Sequence, residues 1–377
     1  MRKIKICIAL LLIVSILAGC ANANSTPASD KGTNDKSAVS DSQSPDNGNE
    51  SSQDDNAAKV EKTATPEPSA TPTPSPTPTP EPTATPEPSP TPTPLVASVS
   101  LSIPFRFTSS YVEGKGGTIE PITYMAKDYL GDGPDVEKKA FVYLPPEYDE
   151  SKQYNVMYLC HGIGGNENEW GMTNNASTVK HIMDNLIGNG FIEPFIIVTP
   201  NGKALALSDT EGNDRFYRFG YELRNDLIPY IESHYSTYAE YDENGYDMTA
   251  TRTHRAMAGL SMGGMQTINI GMCECLDLFS WFGAFSAAPT SYSASKIAST
   301  VGASEYTVDF FYNICGKNDN IAYYSASSAA KNLPTFSDLF VTDENFMWQE
   351  KAGGHDFNIW YLGFYNFAQI AFKGYSP

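Results

Sequence analysis

Residues 255–264 read Arg-Ala-Met-Ala-Gly-Leu-Ser-Met-Gly-Gly: an apolar run that breaks at Gly259-Leu260-Ser261-Met262-Gly263 and then continues in helix-compatible sequence to Cys275. Glycines on either side of a serine, between a strand and a helix, relieve the crowding around a side chain held in a strained, exposed turn. A plain glycine-rich loop between a strand and a helix has the same local composition, so the sequence on both sides has to decide.

Outward from this stretch, apolar β-rich runs recur at Phe141–Leu144, Val156–Cys160, Phe195–Thr199, Phe310–Cys315 and Phe346–Gln349. Helical periodicity over Val179–Ile187, Leu223–Tyr235 and Met262–Cys275 follows the second, third and fourth runs, counting Arg255–Gly259 as the fourth. Strands alternating with helices predict an α/β protein with a mostly parallel central sheet and helices on both faces. Sites on such sheets lie beyond the carboxyl ends of the strands, so the residues after each run are the candidates for chemistry.

A serine hydroxyl needs a base, and five histidines are available. His181 and His234 fall inside helical patterns, and His254 precedes the serine strand at its amino end. His161 opens the loop His161-Gly162-Ile163-Gly164-Gly165, which suits a backbone approach to the nucleophile. His355, in Gly353-Gly354-His355-Asp356-Phe357, lies late in the chain just past a strand. The chain order of the α/β-hydrolase fold is Ser, then acid, then His, which selects His355. Asp319 follows Phe310–Cys315 through Gly316-Lys317-Asn318 and is the acid at a strand end. Asp338, Asp343 and Glu344 lack a preceding strand, Glu350 is a weaker candidate, and Asp356 cannot easily orient its neighbour's ring. The oxyanion would need two backbone donors: Met262 directly after the serine, and Ile163, with Gly162 as the near alternative. The His161–Gly165 loop lacks the Lys-Ser/Thr of a phosphate-binding loop. No cofactor and no metal are expected, since Cys273 and Cys275 diverge on a helix and no zinc spacing occurs.

The amino-terminal quarter reads differently. Half the prolines, 13 of 26, lie in residues 66–94 among Thr, Ser, Glu and Ala, a composition that cannot bury a core. Residues 21–94 are therefore expected to be a polar and Pro/Thr-rich linker, its proline-rich part reaching roughly 90 Å as polyproline II. Residues 1–20 carry Arg2, Lys3 and Lys5, then an apolar run from Ile6 to Ala18 that is too short to span a bilayer. The run ends Leu17-Ala18-Gly19-Cys20, which resembles a bacterial lipobox and implies a signal peptide, lipidation at Cys20 and anchoring at the extracellular face of the membrane, or simple secretion. Residues 95–377 form the expected catalytic domain. They hold 18 basic and 33 acidic residues, net −15, which disfavours nucleic acid and leaves the lipid anchor as the membrane link. Cys160, Cys273, Cys275 and Cys315 are expected to be free thiols.

Five segments, His161–Trp170, Thr199–Asn201, Gly259–Gly264, Gly316–Asp319 and Gly353–Trp360, occur in the order seen in the carbohydrate esterase family 1 feruloyl esterases, the kind joined to bacterial xylanases. The chain resembles that family, within the esterase D group, from about Gly117 to Phe372. The resemblance implies Ser261 as nucleophile, Asp319 as acid, His355 as base, and Met262 with Ile163 as oxyanion donors. It implies hydrolysis of feruloyl esters, with feruloylated or acetylated xylan, arabinoxylan and their oligosaccharides as partners. Trp170 and Trp360, with Phe216, Tyr217, Phe219, Tyr292 and Tyr361 nearby, are candidates for an apolar slot or sugar platform, although most of the 45 aromatics must be core. Acetylxylan esterase activity is the alternative within the same chemistry. A catalytically silent carbohydrate-binding protein is the alternative from another class, and a missing triad residue would be its mark. Glu240–Thr253 and Ala204–Gly220 depart from the family pattern.

Overall fold

The computed structural model describes residues 99–111, 114–205, 212–239 and 245–373, all within the unit Thr85–Pro377. The expected signal peptide 1–20, Cys20 and the linker 21–94 lie outside the described residues. Eight strands form one sheet: β1 (Thr118–Ala126), β2 (Val136–Leu144), β3 (Asn155–Cys160), β4 (Phe195–Pro200), β5 (Arg255–Leu260), β6 (Trp281–Phe285), β7 (Phe310–Gly316) and β8 (Phe346–Lys351). Their order is β1-β2-β4-β3-β5-β6-β7-β8. The β1–β2 and β2–β4 pairs are antiparallel and every other pair is parallel, which makes this an α/β-hydrolase sheet.

The helices are α1 (Phe105–Thr108), α2 (Thr178–Gly188), α3 (Asp214–Tyr217), α4 (Phe219–Glu222), α5 (Ile228–His234), α6 (Met262–Gln266), α7 (Ala294–Gly302), α8 (Tyr323–Phe336) and α9 (Phe357–Ala368). Every residue of β3 through β7 is buried, because both sheet faces are covered. Successive side chains of a strand point to opposite faces, so Val156 and Tyr158 join the core under α5, α7 and α8, while Met157 and Leu159 join the core under α2 and α9. That is why these strands read as continuous apolar runs rather than as alternation.

Two strands escape the pattern reading. β1 contains Pro121, lies at the sheet edge and exposes most of its residues, so it carries little apolar signal. β6 sits in the mostly apolar stretch from Leu278 to Phe285, where period cannot separate strand from buried helix. The expected helix at Leu223–Tyr235 begins as a π-turn over Leu223–Leu227 before α5, and α6 likewise passes into a π-turn over Thr267–Met272.

Buried charges brace the loops that reach the carboxyl edge. Lys138 on β2 pairs with Glu222 at 2.9 Å and donates to the carbonyls of Asn201, at 2.8 Å, and Lys203. The Tyr124 hydroxyl donates to the other oxygen of Glu222 at 2.6 Å. This ties the loop after β4 to the sheet. Removing one member would leave the other charge buried alone, at a cost of about 3–5 kcal/mol.

Candidate active site

Ser261 sits at the turn between β5 and α6 with φ 52° and ψ −112°, a conformation rare for a residue with a side chain. The surroundings hold it there: Ser261 N–H donates to Phe285 O at 2.9 Å, and Ser261 O accepts from Met265 and Ala288 N–H at 3.0 and 2.9 Å. The glycines of the motif have a packing reason as well. A Cβ on Gly259 would stand 2.6 Å from the Gly263 carbonyl carbon, and one on Gly263 would stand 2.5 Å from Cys160 O. The motif thus brings the start of α6 against the end of β3, which a larger residue at either position would prevent.

His355 lies in the loop between β8 and α9, and its Nε2 is 3.0 Å from Ser261 Oγ. Its Nδ1 is 2.7 Å from Asp319 Oδ2. Asp319 follows β7 directly, is 3% exposed, and accepts through Oδ1 from the N–H groups of Ile321 (3.0 Å) and Ala322 (2.8 Å) at the start of α8. Burial opposes its charge, but these bonds and His355 outweigh burial and hold the carboxyl below its usual range. The structure therefore brings Ser261, His355 and Asp319 into one hydrogen-bonded line. Such a line can take a proton from the hydroxyl and stabilise the imidazolium that results.

Glu350 faces elsewhere. Its carboxylate meets Lys331 at 2.5 Å and the Tyr323 hydroxyl and Trp348 indole N–H at 3.1 Å each. The Lys331 bond chiefly pulls it down to about 2.

Met262 is the first residue of α6, where an amide has no partner within the helix. On the other side, Gly162 N–H donates to Glu169 Oε2 at 2.6 Å, which leaves Ile163 as the candidate donor from that loop. Nothing in the sequence pointed to Glu169, one of several polar residues in an irregular loop. Its carboxylate is raised by burial, against the pull of the Gly162 N–H and nearby Lys203. Gln266 is equally illegible: its Nε2 donates to Gly202 O at 2.6 Å and Phe216 O at 2.9 Å, fixing the loop after β4 over α6.

His161 is 1% exposed, with Nδ1 2.7 Å from Gly162 O and Nε2 accepting from Gly202 N–H at 3.1 Å. Only the neutral ring protonated on Nδ1 fits both bonds. Burial lowers its pKa from 6.5 to about 4. The unfolded chain therefore takes up this proton as pH falls from about 6.5 while the native state resists it, so the stability is complete above that pH and is lost toward pH 4. The midpoint of thermal unfolding should fall over this window more steeply in the wild type than in His161→Asn, with His254, also lowered to about 4 by burial, common to both proteins. Parallel curves would remove His161 from the acid sensitivity.

Both tryptophans expected at a substrate surface are buried, Trp360 at 8% exposure and, more deeply, Trp170. Trp170 is 1% exposed, donates its indole N–H to Cys160 O at 3.0 Å and packs among Phe285, Phe357, Tyr361 and Phe364. It is core that supports the His161–Gly165 loop from behind, because the chain after that loop folds its apolar end inward against α9. Phe216 and Phe219 are likewise buried. Trp360 stands edge-on to the His355 ring at 5.1 Å, and its indole nitrogen is buried without a hydrogen-bond partner among the described residues. The four domain cysteines are free, and Cys315 packs its thiol against Asp319.

The family model described as "Putative esterase" matches residues 133–361, more than half of the chain. The chain belongs to this esterase family. Endo-1,4-beta-xylanase Y of Acetivibrio thermocellus is 36% identical over 209 residues, 53% of this chain and 18% of its own length. An endo-1,4-beta-xylanase/feruloyl esterase of Xylanibacter ruminicola is 28% identical over 263 residues, covering 68% of this chain and 32% of its own length. This member of the family thus spans less than a third of either relative. Among solved structures, the CE1 ferulic acid esterase of Anaeromyces mucronatus superposes with a TM-score of 0.60 and 26% identity, over 74% of this chain and 100% of that one. The feruloyl esterase module of Clostridium thermocellum, solved as a mutant complexed with sinapinate, gives 0.62 and 28%, over 75% and 96%.

Proposed function

We propose that this esterase hydrolyses feruloyl and related hydroxycinnamoyl esters on plant cell-wall xylan through an acyl-enzyme. The observation that carries the reading is the Ser261–His355–Asp319 line, at 3.0 and 2.7 Å, on an α/β-hydrolase sheet. The similarity to two feruloyl esterase structures over nearly their whole length supports the acyl group. His355 Nε2 takes the Ser261 proton as Oγ bonds to the ester carbonyl carbon. The oxyanion forms within reach of the Met262 and Ile163 amides, where preorganised donors lower the barrier most. The imidazolium then protonates the departing sugar oxygen as its bond to the acyl carbon breaks. Water, deprotonated by the same ring, adds to the acyl-enzyme and returns Ser261 with release of ferulate.

Purified residues 95–377 should release ferulate from methyl ferulate and from feruloylated arabinoxylan with higher kcat/KM than they release acetate from acetylated xylan. The reverse order would move the protein to the acetyl esterases. Inertness toward all three, in folded protein that a fluorophosphonate fails to label at Ser261, would favour a binding role.

The location rests on residues 1–20, whose basic start, apolar run and Ala18-Gly19-Cys20 end support lipidation at Cys20 and display on the outer face of the membrane. Cys20→Ser should shift the protein from the membrane fraction to the medium or prevent its processing.

A further inference from the structure

Beside the candidate active site, a groove of 410 Å³ runs between the loop after β6, α7 and the outer side of α8. Its lining includes neither Ser261 nor His355, yet it begins one loop away. Ala287 and Pro289 on its wall flank Ala288, whose N–H holds Ser261 O, and α8 starts just after the residues that bind Asp319. No charged side chain lines it among the described residues, although the domain is strongly acidic. Its walls instead combine aromatic rings and small aliphatic residues with short hydroxyl and amide groups. Tyr324 is 88% and Phe336 57% exposed, Tyr292 is half-buried, and Ser328 and Asn332 stand between them. At its floor lies Asn313 of β7, 2% exposed, whose side-chain oxygen has no hydrogen-bond partner among the described residues.

We infer that this groove is a subsite for a neutral sugar unit in the alcohol half of the ester. The assignment rests on the esterase reading of Ser261. The exposed rings of Tyr324 and Phe336 beside hydroxyls and amides suit a neutral sugar, whose C–H faces can lie on aromatic rings and whose hydroxyls can donate and accept. A sugar hydroxyl donating to Asn313 would satisfy an acceptor that is otherwise costly to bury. The acyl carbon must sit at Ser261 Oγ, and a groove that begins one loop away and carries short hydroxyl and amide groups suits the carbohydrate extending from the scissile oxygen.

The test compares the wild-type enzyme with Tyr324→Ala, at a highly exposed position, and Ser328→Trp, which fills the groove from its rim. Methyl ferulate, which has no sugar, is set against a feruloylated arabinoxylo-oligosaccharide. In both variants the ratio of kcat/KM for the oligosaccharide over methyl ferulate should fall about tenfold, mainly through KM. An unchanged ratio in both variants overturns the subsite, as does an equal loss on both esters, which would place the acyl group in the groove. Direct titration with the unesterified arabinoxylo-oligosaccharide should show calorimetric binding to the wild type that weakens in both variants. Absence of binding to the wild type, or equal binding to all three, also overturns it. Wild type that binds the sugar but hydrolyses neither ester would sink the feruloyl esterase reading and leave the subsite standing.

Discussion

Ser261→Ala is expected to reduce hydrolysis of methyl ferulate by about 10⁴- to 10⁶-fold, a loss in kcat rather than in KM. Without Oγ there is no atom to form the acyl-enzyme, and the base has no hydroxyl to deprotonate. The fold should survive, because the elbow is held by backbone bonds from Ser261 to Phe285, Met265 and Ala288 that do not involve the side chain. The hydroxyl contributes one hydrogen bond, to His355, worth about 0.5–1.5 kcal/mol. The midpoint of thermal unfolding should therefore move by only a few degrees. A variant that unfolds like the wild type and still turns over the ester within tenfold of it would show that another group is the nucleophile.

Asp319→Asn is expected to lower kcat by up to about 10⁴-fold. The Ile321 and Ala322 amides already donate to Oδ1, so an asparagine keeps its oxygen there and turns its NH₂ toward His355. That NH₂ can only donate, which forces the imidazole to accept at Nδ1 and carry its proton on Nε2, facing Ser261 with no lone pair to receive the hydroxyl proton. The loss can be smaller than in amide hydrolysis, since an alkoxide leaves more readily than an amine. Glu350→Gln provides the contrast, because its carboxylate is committed to Lys331, Tyr323 and Trp348, so turnover should stay within about threefold of wild type. If Glu350→Gln collapses activity while Asp319→Asn is spared, the acid has been misplaced, although the contact of Ser261 with His355 would remain.

The burial of both tryptophans shows where composition stops being informative. Both flank motif residues, and an indole beside a motif has the same chemistry whether it faces solvent or core. The direction is set by α9, which lays Phe364 and Tyr361 against Trp170 and leaves the edge of Trp360 to His355. That packing depends on contacts between segments about 190 residues apart, which no local pattern encodes.

The sequence by itself determined the parallel heart of the sheet, since β3, β4, β5, β7 and β8 are each short apolar runs, all but β8 buried throughout, and punctuated by the loops that carry chemistry. It also singled out Ser261, because a serine with glycines on both sides between a strand and a helix marks a strained turn, found here at φ 52°. His355 and Asp319 followed from chain order and from their place after a strand, both properties of one dimension. Tertiary structure alone decided what the loops do to one another: Glu169 occupying the Gly162 amide, His161 and Gln266 clamping Gly202, and Lys138 reaching from β2 to hold the loop after β4. These groups are polar, scattered along the chain and free of any period, so burial leaves no trace of them in local sequence. Their positions are fixed by the requirement that buried donors and acceptors find partners, a condition that can be satisfied only once the chain has closed on itself.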